Sequence, residues 1–240
     1  MWQCYNICGL DVLADFRYDT MLHRSEKYRS EFPHDKAVIR INYDRPAIDK
    51  LLLRGITSEA SAENILSANM FYTELLKHGG FMLHSSAVAV DGRAYLFSAP
   101  SGTGKSTHTS LWKEVFGERA VIINDDKPAL MLTKDKLIAY GTPWSGKSDL
   151  NVNTGVPVQG ICVLERSQEN FINRLSDGDA IFAVLNQTIR SSDERFMSRL
   201  LDYIDSMMKY VPVWRMGCNI THEAAIMAYN AMSCSDRISS

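Results

Sequence analysis

The sequence predicts a mixed α/β fold: a largely antiparallel-containing sheet with a glycine-rich loop and flanking helices, preceded by a small N-terminal β-rich lobe. Three observations carry this expectation. The β-prone run Tyr95-Leu96-Phe97 leads into Ala99-Pro100-Ser101-Gly102-Thr103-Gly104-Lys105-Ser106-Thr107, and residues 107–116 then have the apolar spacing of a short helix. Two apolar runs, 81–90 and 93–99, flank Asp91-Gly92, whose tolerance of positive φ marks a tight hairpin. Beyond residue 120, short β-type runs are mixed with stretches of helical period.

The first 57 residues read as the lobe, with β-like runs at 4–13 and 37–43 joined by the charge-rich segment 17–36. Its mixed-sign cluster His23-Arg24-Ser25-Glu26-Lys27-Tyr28-Arg29 reads as a solvated face. A long helix is expected over 58–78, with Ile65, Met70 or Ala68, Phe71, Tyr72, Leu75 and Leu76 on its apolar stripe and Gly79-Gly80 past its end. Residues 58–240 thus form the second unit. After the loop helix, 120–124 is a buried-type strand ending in Asp125-Asp126, and 129–133 with 137–140 form a second antiparallel pair. Residues 141–155, containing Pro143-Trp144-Ser145-Gly146-Lys147, read as an irregular polar loop. Strands are expected at 158–164 and 171–175, and helices at 177–189, 193–209 and 221–232. An edge-like strand is expected at 211–215, because Pro212 cannot donate to a ladder. The polar tail 233–240 is expected to fray.

Composition narrows the function. With 240 residues, 45% of them hydrophobic, and a formal net charge of −2, the chain can bury a core and lacks the basic footprint of a nucleic-acid binder. The five cysteines show no paired C-x-x-C spacing and are expected as reduced thiols. The N-terminus has no basic and apolar leader pattern, and no stretch has bilayer-spanning length, so a cytoplasmic protein without a membrane partner is expected.

The loop itself carries chemistry. Ser101, Gly102, Thr103, Gly104, Lys105, Ser106 and Thr107 match the core of a P-loop: glycines let successive N–H groups turn toward one anion, and the helix N-terminus adds its positive end. Lys105 would meet the β- and γ-phosphates of a nucleotide, and the Ser106 hydroxyl would ligate Mg²⁺. The full pattern wants glycine where the chain has Ala99. At the end of the following strand, Asp125 and Asp126 are candidates for holding Mg²⁺ and for taking a proton from an attacking hydroxyl. Neighbouring side chains in extended backbone point to opposite faces, so both serve one site only if the backbone turns there.

With these motifs, and with His84 in Leu83-His84-Ser85-Ser86 upstream, the segment from about Phe81 to Leu164 resembles the kinase domain of bacterial HPr kinase/phosphorylase and its relatives of the phosphoenolpyruvate-carboxykinase-like fold. The resemblance accounts for an antiparallel hairpin leading into the phosphate loop. It implies that Lys105 binds phosphate, that Ser106 and Asp125 support Mg²⁺, that the Asp125-Asp126 pair supplies the proton acceptor, and that His84 sits beside the transferred phosphate. The Glu-x-Arg-Gly element and the arginine-rich C-terminal loop of HPr kinases are not found here, which counts against HPr itself as substrate and against phosphorylase activity while leaving the ATP half of the site in place. Gly141-Thr142-Pro143-Trp144-Ser145-Gly146-Lys147 stands near the place of the former, and Lys147 is the candidate for extra positive charge at the phosphates, ahead of Lys127, Arg190 and Arg195. The expectation is an ATP- and Mg²⁺-dependent kinase of a hydroxyl group on a peptide, protein or small molecule. A nucleotide-sensing module without transfer is the alternative and a carboxykinase a weaker one; the sequence leaves oligomerisation open.

Overall fold

The computed structural model describes residues 1–190 and 193–234. Strands β1 (Gln3–Ile7) and β2 (Leu10–Ala14) pair antiparallel through a Cys8-Gly9 turn, both residues of which have positive φ. After helix α1 (Asp19–Ser25), strand β3 (Ile39–Ile41) adds to β2 in parallel, completing a three-stranded sheet. Helix α2 (Arg45–Leu53) follows, capped by the Asp44 carboxylate, which accepts from the Ala47 amide at 3.0 Å. The first 57 residues are therefore mixed, and the expected β-rich lobe is corrected. Asp44-Arg45-Pro46 is an N-cap followed by an early-turn proline, a helix-start signal that the reading by β-type runs passed over.

Helix α3 (Glu59–Leu75) starts at Ser58, whose hydroxyl accepts from the Ser61 amide at 3.1 Å. It buries Phe71, Tyr72 and Leu75 in one apolar cluster with Tyr5, Ile7, Val12, Ile39 and Ile41 of the small sheet and with Trp144.

The larger sheet has nine strands: β4 (Gly80–Met82), β5 (Ser85–Val90), β6 (Arg93–Ser98), β7 (Ala120–Asn124), β8 (Ala129–Leu132), β9 (Leu137–Tyr140), β10 (Gly155–Arg166), β11 (Phe171–Arg174) and β12 (Val213–Cys218). Seven follow the order β4-β8-β9-β10-β6-β5-β7, and β12 pairs with both β10 and β11. The Asp91-Gly92 turn, with φ of 52° and 73°, joins β5 and β6 as an antiparallel hairpin, and β6 runs parallel to β10. The apolar run 81–90 is not one strand: it breaks at Leu83-His84, where the chain leaves β8 and turns to join β6 and β7. The expectation of an edge strand after residue 211 is also corrected. Pro212 lies just before β12, its carbonyl accepts from the Ile161 amide at 3.1 Å, and β12 lies between β10 and β11.

Helices cover both faces, as strand alternation requires. Ala87 and Ala89 of β5 face a cluster containing Ala180 and Val184 of α5 (Asp177–Leu185) and Leu200, Ile204 and Met207 of α6 (Glu194–Met208). Val88 and Val90 face the opposite cluster, with Leu111 and Trp112 of α4 (Lys105–Phe116) and Ala224, Ala225, Ala228 and Met232 of α7 (His222–Ser233). None of the helices among the described residues is long and apolar enough to cross a membrane. Positions 235–240 of the polar tail lie outside the described residues.

Candidate functional site

Strand β6 ends at Ser98, and the loop 99–104 turns the chain into α4. Gly102 and Gly104 have φ of 79° and 124°, and an added Cβ would meet nothing within 4 Å at either, so it is the backbone conformation rather than crowding that calls for glycine. Ala99 is fully buried with Trp112 and Phe97, which explains why an alanine methyl is accommodated at the loop's root. The amides of Thr103 and His108 bond to Pro100 O and Gly104 O. Among the described residues, no acceptor engages the amides of Gly104, Lys105, Ser106 and Thr107. They form the first turn of a 12-residue helix, where orphan donors and the positive end of the helix dipole coincide.

Lys105 is almost buried, and its ammonium donates to Ala99 O at 2.9 Å. Burial lowers its pKa, the nearby Asp126 carboxylate works against that, and Lys127 adds repulsion. Ser106 and Thr107 are exposed at the helix start. Arg166, at the end of β10, donates to Gly102 O at 2.6 Å and to Thr103 O at 3.3 Å, so two carbonyls of the turn are engaged by a side chain from a neighbouring strand. Sequence reasoning missed Arg166 because only the parallel β6–β10 pairing brings it to the loop.

At the end of β7 the backbone does turn. Asn124 Oδ1 accepts from the amides of Asp126 and Lys127 at 2.9 and 2.7 Å, and the two aspartates diverge. Asp126 faces the loop side, paired with the Lys127 ammonium and with His84 Nε2 at 3.1 Å. Burial alone would raise the Asp126 carboxyl, but the hydrogen bond from His84 and the Lys127 charge outweigh it and bring its pKa down to about 2. His84 is fixed further by Gln187, whose side-chain oxygen lies 3.2 Å from Nδ1 and whose carbonyl accepts the His84 amide at 2.7 Å. Gln187 lies just past the end of α5, and nothing in the sequence around it marks this role.

Asp125 points the other way and is buried. Its carboxylate accepts from the Gly146 amide at 2.5 Å and from the Ser148 hydroxyl. A Cβ on Gly146 would lie 2.9 Å from Asp125 Oδ2, so the close approach requires glycine there. The segment 141–155 is accordingly not a free polar loop. Its first five residues are buried, Trp144 stacks on Phe71 at 4.7 Å between centroids, and the indole donates to Ser67 Oγ at 3.0 Å. Lys147 is exposed at the tip, with no ion pair among the described residues.

The cluster read as a solvated face instead holds this segment. Arg24 donates to the carbonyls of Ser145 and Gly146 at 3.0 and 2.9 Å, Lys27 to Asn151 O at 3.0 Å, and Tyr28 to Asn151 Oδ1 at 2.8 Å. Lys127 is committed to Asp126 and Arg195 to Asp193, whereas Arg190 is exposed.

A family model described as "ScmC: SynChlorMet cassette protein ScmC" matches residues 60–223. No curated protein matches the chain. Among solved structures, one titled "Structure of the Hpr(Ser) kinase/phosphatase from Coxiella burnetii" is similar at 12% identity and a TM-score of 0.35, over 62% of this chain and 93% of that one. No residue is carried across at that distance.

Proposed function

The chain belongs to the SynChlorMet cassette protein ScmC family, and on the geometry around Lys105 and Asp126 we propose that it is an ATP- and Mg²⁺-dependent kinase that transfers the γ-phosphate to a hydroxyl group of a peptide, protein serine or small molecule. One observation supports the reading above the others: four amides without an acceptor at the start of α4, with Lys105 among them and the ionised Asp126 nearby. In this reading residues 58–240 are the kinase unit, and the first 57 support its 141–155 segment.

Ser101 to Thr107 form a P-loop that wraps the phosphates, with Lys105 leaving Ala99 O for the β- and γ-phosphates. The Ser106 hydroxyl and the Asp126 carboxylate are the groups suited to hold Mg²⁺, which when bound neutralises phosphate charge. Asp125 is a poorer ligand than its sequence position implies, because Gly146 and Ser148 already take its two oxygens. Asp126 also orients the acceptor hydroxyl and takes its proton as the new O–P bond forms and ADP leaves. A carboxylate with a pKa of about 2 is a weak base. In a loose phosphoryl-transfer transition state the proton moves late, so orientation counts for more than basicity. His84, held by Gln187, positions Asp126, and Lys147 is free to meet the phosphates from the loop tip.

The test is calorimetry with ATP·Mg²⁺, together with transfer of label from γ-labelled ATP to a pool of peptides and metabolites. Lys105→Met is expected to weaken ATP binding by about a hundred-fold, the scale of losing charge-assisted contacts to phosphate. Asp126→Asn is expected to weaken ATP·Mg²⁺ binding less than Lys105→Met does, while turnover falls by about 10²–10⁴, the range for a lost general base. Unchanged ATP affinity in Lys105→Met would sink the loop assignment; intact binding with no transfer to any acceptor would make the protein a nucleotide sensor.

A further inference from the structure

The strand that reaches the loop with Arg166 has an unusual beginning. Residues 155–157 of β10 pair with β9, residues from Val158 pair with β6, and residues from Ile161 pair also with β12. A register shift between Val158 and Gly160 marks the changeover. Strands β6, β9 and β12 all begin beside it, at Arg93, Leu137 and Val213. The strand ends leave a cavity of ≈ 680 Å³, a size typical of small-molecule sites. Pro157, Val158, Met208 and Pro212 give it apolar walls.

The charges around this cavity are one-sided. Arg93, Lys136, Arg174 and Lys209 line it against a single carboxylate, Asp135. Lys209 lies 3.7 Å from Asp205, outside the cavity lining, and no ion pair engages Arg93, Lys136 or Arg174 among the described residues. Three cations without an ion pair among the described residues, lining one concave surface, raise its positive potential, and a guanidinium fork matches paired anionic oxygens. The cavity is distinct from the phosphate loop. Arg93 and Ala99 stand at opposite ends of β6, about 20 Å apart at the rise of an extended strand.

We propose that this cavity is a second binding site, for a small molecule carrying two or more phosphate or carboxylate groups. Cationic groups set beside Pro157, Val158, Met208 and Pro212 suit an organic body with charged ends. The site stands independently of the kinase reading, because the residues that build it are at the other end of the sheet.

The experiment titrates inorganic pyrophosphate and, separately, citrate into full-length Lys105→Met protein by calorimetry, so that the loop does not contribute. At least one probe is expected to bind one-to-one, and adding Arg93→Gln and Arg174→Gln is expected to weaken it by about ten-fold or more. Pyrophosphate binding alone would assign the site to phosphate groups, and citrate binding alone to carboxylates. Both arginines are exposed, and the thermal melt of the triple variant should match its parent. As a second pair, Arg93→Lys and Arg174→Lys, which keep the charge but lose the forks, should weaken binding less than the Gln pair. No binding of either probe to Lys105→Met, or equal binding with and without the arginines, would overturn the proposal.

Discussion

Two loops meet near Asp126, and they treat their polar groups in opposite ways. Among the described residues, the 99–104 turn leaves the amides at the start of α4 without acceptors, and Arg166 engages two of its carbonyls. In 141–155, Asp125, Arg24, Lys27, Tyr28 and Ser67 take up donors and acceptors one after another, and Trp144 is locked into the core. A loop whose backbone donors are unsatisfied but solvent-accessible is prepared for a ligand; one whose groups are paired internally is scaffold. Substitutions in the second should therefore cost stability, and those in the first should cost binding.

The largest expected effect on stability is at Trp144. Trp144→Ala removes a fully buried indole, its stacking on Phe71 and its bond to Ser67, and should cost about 3–5 kcal/mol in urea unfolding. A loss under 1 kcal/mol would mean the segment is not anchored as described.

Asp126, between the two loops, should show itself through pH. Its carboxyl is held at about 2, below the unfolded value near 3.9, so its contribution is full above pH ~4 and is lost as pH falls toward 2. Asp126→Asn should therefore lower stability by about 2 kcal/mol at pH 7 and flatten the acid limb between pH ~4 and ~2. An acid limb identical to that of the wild type would contradict the pairing with His84 and Lys127.

Arg24→Ala is next, at about 1–2 kcal/mol, for two charge-assisted bonds to loop carbonyls made by a largely buried guanidinium. ATP affinity should hold while turnover falls, since the segment that carries Lys147 would be held less firmly. If affinity and turnover fell together, the division between the loops would be drawn in the wrong place.

The smallest stability effect belongs to the position with the largest expected effect on binding. Burial disfavours the Lys105 charge, and among the described residues its ammonium bonds only to Ala99 O, so Lys105→Met should change stability by no more than about 0.5 kcal/mol while ATP binding weakens by about a hundred-fold. A melt depressed by several degrees would show that the lysine serves the fold instead.

Much of this was legible in the chain. The hairpin at Asp91-Gly92, the strand into Ala99, the helix from Lys105, the cap at Ser58 and the strand ending before Asp125-Asp126 depend on residues a few positions apart, where turn chemistry and periodicity speak directly. What could not be read was which of two adjacent aspartates faces the loop, because that depends on Asn124 turning the chain and on Gly146 arriving from a distant segment. Arg24, Lys27 and Tyr28 looked like a solvated cluster for the same reason: their partners lie more than a hundred residues away.

The sequence by itself thus determined the local strand–turn–helix around Lys105, in which two glycines, a lysine and a helix start follow within a few residues. Tertiary structure alone decided the surroundings: the inner place of β12, the change of partners along β10 that opens the basic cavity, the His84–Asp126 pairing and the clamping of 141–155. Those features arise where separate segments meet, and packing and hydrogen-bond satisfaction across the whole chain select them, not the preferences of any one stretch.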